Sequence, residues 1–159
     1  LIGLPNAGKS SLLNELTNAT AKIGDYPFTT LEPNLGMLNG SVIADIPGLI
    51  KGSSLGKGLG DRFLRHIERT RILVHLVDMS AQEGRDPIGD YATINSELKY
   101  YSKEVHKKPQ IIAANKMDLD GSSENIERFR KAIKKKVYPI SALKKEGLEE
   151  LIEAIGKKL

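Results

Sequence analysis

The chain has 159 residues, of which 40% are hydrophobic, and a formal net charge of +4. This length suits a single domain with an ordinary core. The absence of cysteine excludes disulfide bridges and thiolate metal sites, and it fits a protein of the reducing cytoplasm. No apolar run approaches the roughly 20 residues of a membrane span, so we expect no membrane partner.

The first residues match the phosphate-loop pattern G-x-x-x-x-G-K-[ST]. Gly3 and Gly8 allow the backbone to turn so that successive N–H groups point at an anion. Lys9 brings an ammonium group to the outer phosphates, and the Ser10 hydroxyl can ligate a Mg²⁺ ion that bridges two of them. The helix that begins near Lys9 directs its positive end into the same place. The pattern therefore predicts a nucleotide site.

Only Leu1 and Ile2 precede this loop, whereas strands usually run for about five or six residues. We therefore expect a truncated first strand, and residues 1–159 forming one domain of a longer protein.

Hydrophobic spacing and turn residues divide the rest of the chain into alternating helices and strands. One helix carries Leu12, Leu13 and Leu16, and two strands, over 35–38 and 41–46, flank the hairpin turn Asn39-Gly40. Further helices are predicted over 61–70, around 91–101, around 126–133 and over 148–159. Buried strands are predicted over 72–77, 110–114 and 137–140. This order predicts a three-layer, doubly wound α/β fold of the phosphate-loop type. Its sheet has six strands and is mostly parallel, with one antiparallel strand.

Polar clusters follow several of these strands, where ligands bind in such folds. Asp45 ends a strand and can hold a water on Mg²⁺. Gly48 has no side chain, so its N–H can closely approach a terminal phosphate. Thr30 lies in a proline-containing loop that can close over the metal.

The tetrapeptide Asn115-Lys116-Met117-Asp118 indicates which base is bound. Guanine presents adjacent N–H donors that the Asp118 carboxylate can accept, whereas adenine presents an acceptor at the matching ring nitrogen. Lys116 can lie along the base, and Asn115 can tie this loop to the phosphate loop. Ser141-Ala142 can complete the pocket with a backbone N–H directed at the guanine oxygen.

Together these residues resemble the GTP-binding domain of the Obg family of bacterial GTPases, and the resemblance covers nearly the whole chain. It rests on GLPNAGKSSLLN from Gly3, DYPFTTLEPNLG from Asp25, DIPGLI from Asp45, GKGLGDRFLRHIERTR from Gly56, EGRDP from Glu83, NKMD and ISAL. Two features depart from the family: Lys51 stands where an acid is usual, and the Asn39-Gly40 hairpin is shorter.

The resemblance implies Ser10 and Thr30 as Mg²⁺ ligands, with Asp45 acting through water, and Lys9, Thr30 and Gly48 as the catalytic residues. The implied nucleotide-binding residues are Gly3, Leu4, Pro5, Asn6, Ala7, Gly8, Lys9, Ser10, Ser11, Phe28, Thr29, Thr30, Asp45, Pro47, Gly48, Asn115, Lys116, Met117, Asp118, Ser141, Ala142 and Leu143. In related GTPases with a Pro-Asn phosphate loop the asparagine helps to hold K⁺, so we expect K⁺ near Asn6. The resemblance further implies a cytoplasmic protein that binds GTP, GDP and the alarmone ppGpp and assists large ribosomal subunit assembly. We expect it to be a monomer.

Leu49 occupies the position where Ras-like enzymes carry a glutamine that orients the attacking water. Leucine forms no hydrogen bond through its side chain, so we expect slow intrinsic hydrolysis. Two hypotheses stay open: a GTPase whose hydrolysis is its purpose, and a nucleotide-gated ribosome-binding or rRNA-binding module, or a ppGpp sensor, that hydrolysis only resets. An ATP-using kinase conflicts with Asp118. We interpret His66 and His75 as packing residues and His106 as a surface residue.

Overall fold

The computed structural model describes residues 1–17, 33–46 and 65–159. The helices are α1 (Lys9–Leu16), α2 (Pro87–Tyr101), α3 (Lys103–His106), α4 (Ser122–Ile133) and α5 (Leu148–Gly156). The strands are β1 (Asn34–Leu38), β2 (Ser41–Asp45), β3 (Leu73–Asp78), β4 (Gln110–Asn115) and β5 (Val137–Pro139). A short 3₁₀ helix (Gln82–Gly84) follows β3. These elements match the predicted ones to within a few residues. Of the predicted 61–70 helix, residues 65–68 are helical and residues 61–64 lie outside the described part.

The sheet has the mixed pairing that the sequence predicts. Strands β3, β4 and β5 are parallel neighbours in that order, and β1 pairs antiparallel with β2 across Asn39-Gly40. Residues 1–2 join these two groups. Ile2 forms a parallel bridge with His75 of β3, and the Leu1 carbonyl accepts a hydrogen bond from the Ile46 N–H at 3.0 Å. The order across the sheet is therefore β1, β2, residues 1–2, β3, β4, β5.

Helices cover both faces of this sheet because the strands β3 and β4 are apolar on both sides. Val74 and Leu76 of β3 belong to one buried cluster with residues of α1 and α5, such as Leu12 and Leu151. The alternate residues Leu73 and Val77 belong to clusters built with α2, α3 and α4. The result is the expected three-layer α/β arrangement.

The histidines lie close to where the sequence analysis placed them. His75 is buried, and its ring stacks on Tyr91 with 5.0 Å between ring centroids. Tyr91 in turn makes an edge contact with Phe129, which is fully buried. His66 is also buried, whereas His106, which we expected at the surface, is half-buried. Among the described helices none is long and apolar enough to cross a membrane.

Candidate nucleotide site

The phosphate loop connects residues 1–2 to α1 and is shaped by residues with positive φ. Gly3 has φ 153°, Asn6 has φ 63° and Gly8 has φ 98°. The Ala7 N–H donates to the Leu4 carbonyl at 3.3 Å, which closes a four-residue turn with Pro5 and Asn6 at its centre. A side chain cannot be accommodated at Gly8, because an added Cβ would lie 2.3 Å from Asn115 Nδ2. Glycine is needed here for both space and backbone conformation.

Lys9 is the first residue of α1, and its side chain folds back under the loop. Lys9 Nζ donates to the carbonyl oxygens of Gly3 at 3.0 Å and Leu4 at 3.1 Å, and the residue is only 8% exposed. Burial lowers the pKa of Lys9 from its usual value, and the nearby Asp45 carboxylate offsets part of that shift. A buried ammonium group at this position is suited to pair with phosphate.

Ser10 and Asp45 come together although 35 residues separate them. Ser10 Oγ donates to Asp45 Oδ2 at 2.6 Å, because β2 ends beside the start of α1. Asp45 is 4% exposed, and its other oxygen, Oδ1, is buried and has no hydrogen-bond partner among residues 1–17, 33–46 and 65–159. A hydroxyl beside a buried carboxylate with a spare oxygen fits the hard, oxygen-preferring Mg²⁺ ion. Ser10 and Asp45 are the described residues that would hold the metal.

Asn115, the last residue of β4, connects the phosphate loop to the loops expected to hold the base. Its Nδ2 donates to the Ala7 carbonyl at 2.7 Å, and its Oδ1 accepts the Ala142 N–H at 3.0 Å. The first contact was predicted from the sequence. The second contact was not predicted, and it engages the Ala142 N–H within the protein. That a backbone N–H of the Ser141-Ala142 segment faces the guanine oxygen stays a prediction.

Asp118 is held by the segment that follows β5. Ser141 Oγ donates to Asp118 Oδ1 at 2.6 Å and accepts the Lys144 N–H at 3.0 Å. Ser141 is completely buried, whereas Leu143 is 76% exposed. The Met117 N–H donates to the Ile140 carbonyl at 3.1 Å, which joins the NKMD and ISAL segments directly. The second carboxylate oxygen of Asp118, Oδ2, takes no part in the hydrogen bond with Ser141.

Three residues that the sequence analysis did not assign to the site also contact it: Asp78, Ser80 and Arg85. Asp78, the last residue of β3, accepts Lys116 Nζ at 2.6 Å and both the N–H and hydroxyl of Ser80. Burial by itself would raise the pKa of Asp78, but the bonds from Lys116 and Ser80 together hold this pKa below its usual value. The position of Asp78 at a strand end was the available signal. Arg85, from the EGRDP stretch, donates to the Pro5 carbonyl at 3.0 Å.

The predicted site residues Gly3, Leu4, Pro5, Asn6, Ala7, Gly8, Lys9, Ser10 and Ser11 thus lie in one loop and the start of α1. Those of the NKMD and ISAL segments lie at the ends of β4 and β5. Phe28, Thr29, Thr30, Pro47 and Gly48 lie outside the described residues, as do Leu49 and Lys51. Their roles stay predictions.

A phosphate loop before α1, a carboxylate beside its serine and two linked loops at the strand ends define a phosphate-loop GTPase domain. Residues 1–116 match the family model described as 50S ribosome-binding GTPase. The chain therefore belongs to the 50S ribosome-binding GTPase family.

The resemblance to Obg proteins is confirmed over the whole chain. The chain is 53% identical to GTPase Obg of Acetivibrio thermocellus, and the alignment covers 100% of this chain and 39% of that protein. It is 56% identical to GTPase Obg of Thermoanaerobacter sp. strain X514, covering 96% of this chain and 38% of that protein. The chain thus spans about two fifths of the length of these relatives.

A solved structure shows the same fold at lower identity. The NFeoB protein of S. thermophilus bound to GDP·AlF4⁻ and K⁺ is 24% identical, with a TM-score of 0.67 over 99% of this chain and 60% of that chain.

Proposed function

We propose that this domain binds GTP and GDP with Mg²⁺, hydrolyses GTP slowly and acts as a molecular switch. The observation that carries the proposal is the double contact of Asn115, which fixes the phosphate loop and the Ala142 segment to one side chain. A site for a phosphate chain and a site for a base are thereby held at a constant distance. Lys9, Ser10 and Asp45 serve the phosphates and metal, and Asp118 serves the base.

Guanine specificity follows from the state of Asp118. One of its oxygens is occupied by Ser141, which fixes the carboxylate plane, and the carboxylate can accept the paired N–H groups of guanine. An adenine base offers no such pair. The Ser141 contact therefore orients Asp118 before the nucleotide arrives, which lowers the ordering cost of binding.

The test is calorimetric titration with GDP, ADP and xanthosine diphosphate, in Mg²⁺ buffer, of wild-type protein and Asp118→Asn. Wild type should bind GDP and not ADP. Asp118→Asn should lose GDP and gain xanthosine diphosphate, because xanthine offers an acceptor where guanine offers a donor. Asp120→Asn, an exposed aspartate two residues later, is the matched control and should bind GDP as wild type does. Equal binding of ADP and GDP by wild type would refute the guanine assignment.

Slow turnover follows from Leu49, which cannot orient water, so a partner or a monovalent cation has to complete the site. We propose K⁺ near Asn6, in keeping with the K⁺ ion named for the S. thermophilus NFeoB structure. Asn6 is exposed at the tip of the phosphate-loop turn. The GTPase rate should be higher in KCl than in NaCl at equal ionic strength, and Asn6→Ala should abolish the difference. Equal rates in both salts would exclude the potassium role.

For the biological role, we propose that the domain belongs to a cytoplasmic, monomeric protein that engages the large ribosomal subunit and assists its assembly. The family name supports this, and so do exposed lysines near the end of the chain, suited to RNA phosphates: Lys131, Lys134, Lys135, Lys136, Lys144, Lys145, Lys157 and Lys158. Co-sedimentation with 50S subunits should be stronger with a GTP analogue than with GDP, and should weaken as salt rises. Binding that ignores the nucleotide would contradict a switch.

We further propose ppGpp as a ligand of the same site, because it shares the guanine base and 5′ phosphates with GDP. Competition of ppGpp against GDP tests this directly. Should ppGpp compete and ribosomal subunits leave hydrolysis unchanged, the nucleotide-sensor alternative would be favoured over the assembly GTPase.

A further inference from the structure

Arg85 contacts the phosphate loop at one of the loop's backbone carbonyls. Its Nη1 donates to the Pro5 carbonyl at 3.0 Å, and its Nε donates to Asp90 Oδ2 at 3.1 Å. The side chains of Arg85 and Asp90 are 25% and 18% exposed. One guanidinium therefore joins the phosphate loop to the first turn of α2.

The Arg85 anchor is itself firmly held. Asp90 lies in the first turn of α2, where its N–H donates to the Asp86 carbonyl at 2.8 Å. The Asp86 side chain caps the same helix by accepting the Gly89 N–H at 3.0 Å. Arg85 is thus positioned by the start of a regular helix, whereas the loop it touches has no regular structure of its own.

The Pro5–Asn6 peptide is the central unit of the turn that Leu4 and Ala7 close. Proline fixes φ near −65°, and Asn6 has φ 63°, which is the combination of a type II turn. Type I and type II turns differ by a rotation of this central peptide through about 180°. Asparagine adopts positive φ at a cost that glycine does not have, so the type II form needs support.

The orientation of the Pro5–Asn6 peptide decides where the Asn6 N–H points. In a trans peptide the carbonyl and the N–H point in opposite directions, and no described peptide bond is cis. A cationic donor that holds the Pro5 carbonyl turns the Asn6 N–H to the other side. That side is the one a phosphate loop presents to its anion. In the rotated form the carbonyl oxygen would face the phosphate and repel it.

We propose that Arg85 is a positioning residue that holds the Pro5–Asn6 peptide in its type II orientation and so presents the Asn6 N–H to a nucleotide phosphate. This inference rests on the proposed nucleotide site. Asn115 does the same for the Ala7 carbonyl, which lies two residues further along the loop. Asn115 comes from the end of β4 and Arg85 from the turn before α2, and the two side chains hold alternate carbonyls of the loop away from the anion.

The test is titration of Arg85→Gln with GDP in Na⁺ buffer, so that any effect of K⁺ at Asn6 does not enter. GDP affinity should fall about tenfold, the loss expected for one phosphate contact and its orientation. Arg85→Lys should recover little, because a single ammonium cannot serve Pro5 and Asp90 with the same planar geometry. The matched control is Arg128→Gln, which removes an exposed arginine paired with Asp86 and should leave GDP affinity within twofold of wild type.

A double variant separates positioning from a general structural role. Glycine adopts the positive φ of a type II turn without cost, so Asn6→Gly in the Arg85→Gln background should restore most of the lost affinity. A variant that merely loosens α2 would not be rescued in this way.

The outcomes are distinct. Wild type that fails to bind GDP would refute the nucleotide site, and this inference with it. If wild type binds GDP and Arg85→Gln binds within twofold, only the role of Arg85 would be refuted. Full recovery by Arg85→Lys, or absence of rescue by Asn6→Gly, would also overturn positioning, since the first indicates charge alone and the second a structural effect.

Discussion

Replacement of Asn115 by alanine is the most informative single perturbation of this site. The wild-type side chain is 2% exposed and makes two hydrogen bonds, to the Ala7 carbonyl and from the Ala142 N–H. Both partners are also buried, Ala7 at 2% and Ala142 at 3%. Asn115→Ala removes both bonds and leaves one buried acceptor and one buried donor without a partner.

The magnitude follows from these two groups. A buried polar group left without its partner costs about 1–3 kcal/mol. Two of them lower the free energy of unfolding by about 2–6 kcal/mol, out of a total of roughly 5–15 kcal/mol for a domain of this kind. The same change releases the phosphate loop from the Ala142 segment, so GDP affinity should fall at least tenfold.

The assay is equilibrium unfolding in urea, followed by circular dichroism, together with calorimetric titration of GDP. Asn125→Ala is the matched control, since the half-buried Asn125 makes one side-chain hydrogen bond, to the Met79 carbonyl at 2.8 Å, on the surface of α4. We expect this control to cost about 1 kcal/mol and to leave GDP affinity unchanged. If Asn115→Ala costs no more than the control, or destabilises the protein without weakening GDP, Asn115 does not couple the two halves of the site.

Two further predictions concern His75 and Gly8. Burial lowers the pKa of His75 to about 4, so between pH 6.5 and 4 the unfolded chain binds a proton that the native state does not. The free energy of unfolding should therefore fall by about 3 kcal/mol between pH 6.5 and pH 4. His75→Phe, measured by urea unfolding at pH 6.5 and at pH 4, should lose that part of the pH dependence. If the variant shows the same difference between the two pH values as wild type, the pH dependence does not come from His75. Gly8→Ala should weaken GDP binding by about 2–4 kcal/mol in a titration, because the new Cβ would displace Asn115 and alanine is strained at the positive φ of residue 8. Gly121→Ala, also at positive φ but with open space around the new Cβ, should leave GDP binding intact, and similar losses in both variants would show that the contact with Asn115 is unimportant.

The sequence predicts the parts of the site that are formed by short runs of consecutive residues. The phosphate loop, the NKMD segment and the Ser141-Ala142 pair are short motifs whose residue types follow from the chemistry of phosphate and guanine. The predicted strands bring their ends to one edge of the sheet, so the meeting of Ser10 with Asp45 and of Asn115 with Ala7 follows from topology.

The parts that the sequence does not predict depend on side chains that act across the fold without a motif of their own. Arg85 reaches a backbone carbonyl 80 residues away, and a backbone acceptor leaves no trace in residue type. Asp78 looks like the end of a buried strand until Lys116 is seen to pair with it. The hydrogen bond from Ala142 to Asn115 likewise depends on a rotamer that spacing cannot reveal. Periodicity reports which face is buried, and it says nothing about which atoms meet at a strand end.

The contacts of the phosphate loop fall into two kinds, and the difference explains how a highly charged ligand can enter a preformed site. Lys9 and Ser10 bond to groups within the protein that a phosphate or a metal can replace: two loop carbonyls for Lys9 and the Asp45 carboxylate for Ser10. Their polar atoms stay satisfied before binding, so little is lost when partners are exchanged. Asn115 and Arg85 donate to the carbonyls of Ala7 and Pro5, and neither contact involves Lys9 or Ser10, so a ligand that takes the place of their partners would leave both bonds in place. Because Asn115 and Arg85 hold the loop backbone, a bound nucleotide could replace the partners of Lys9 and Ser10 while the loop N–H groups keep their orientation.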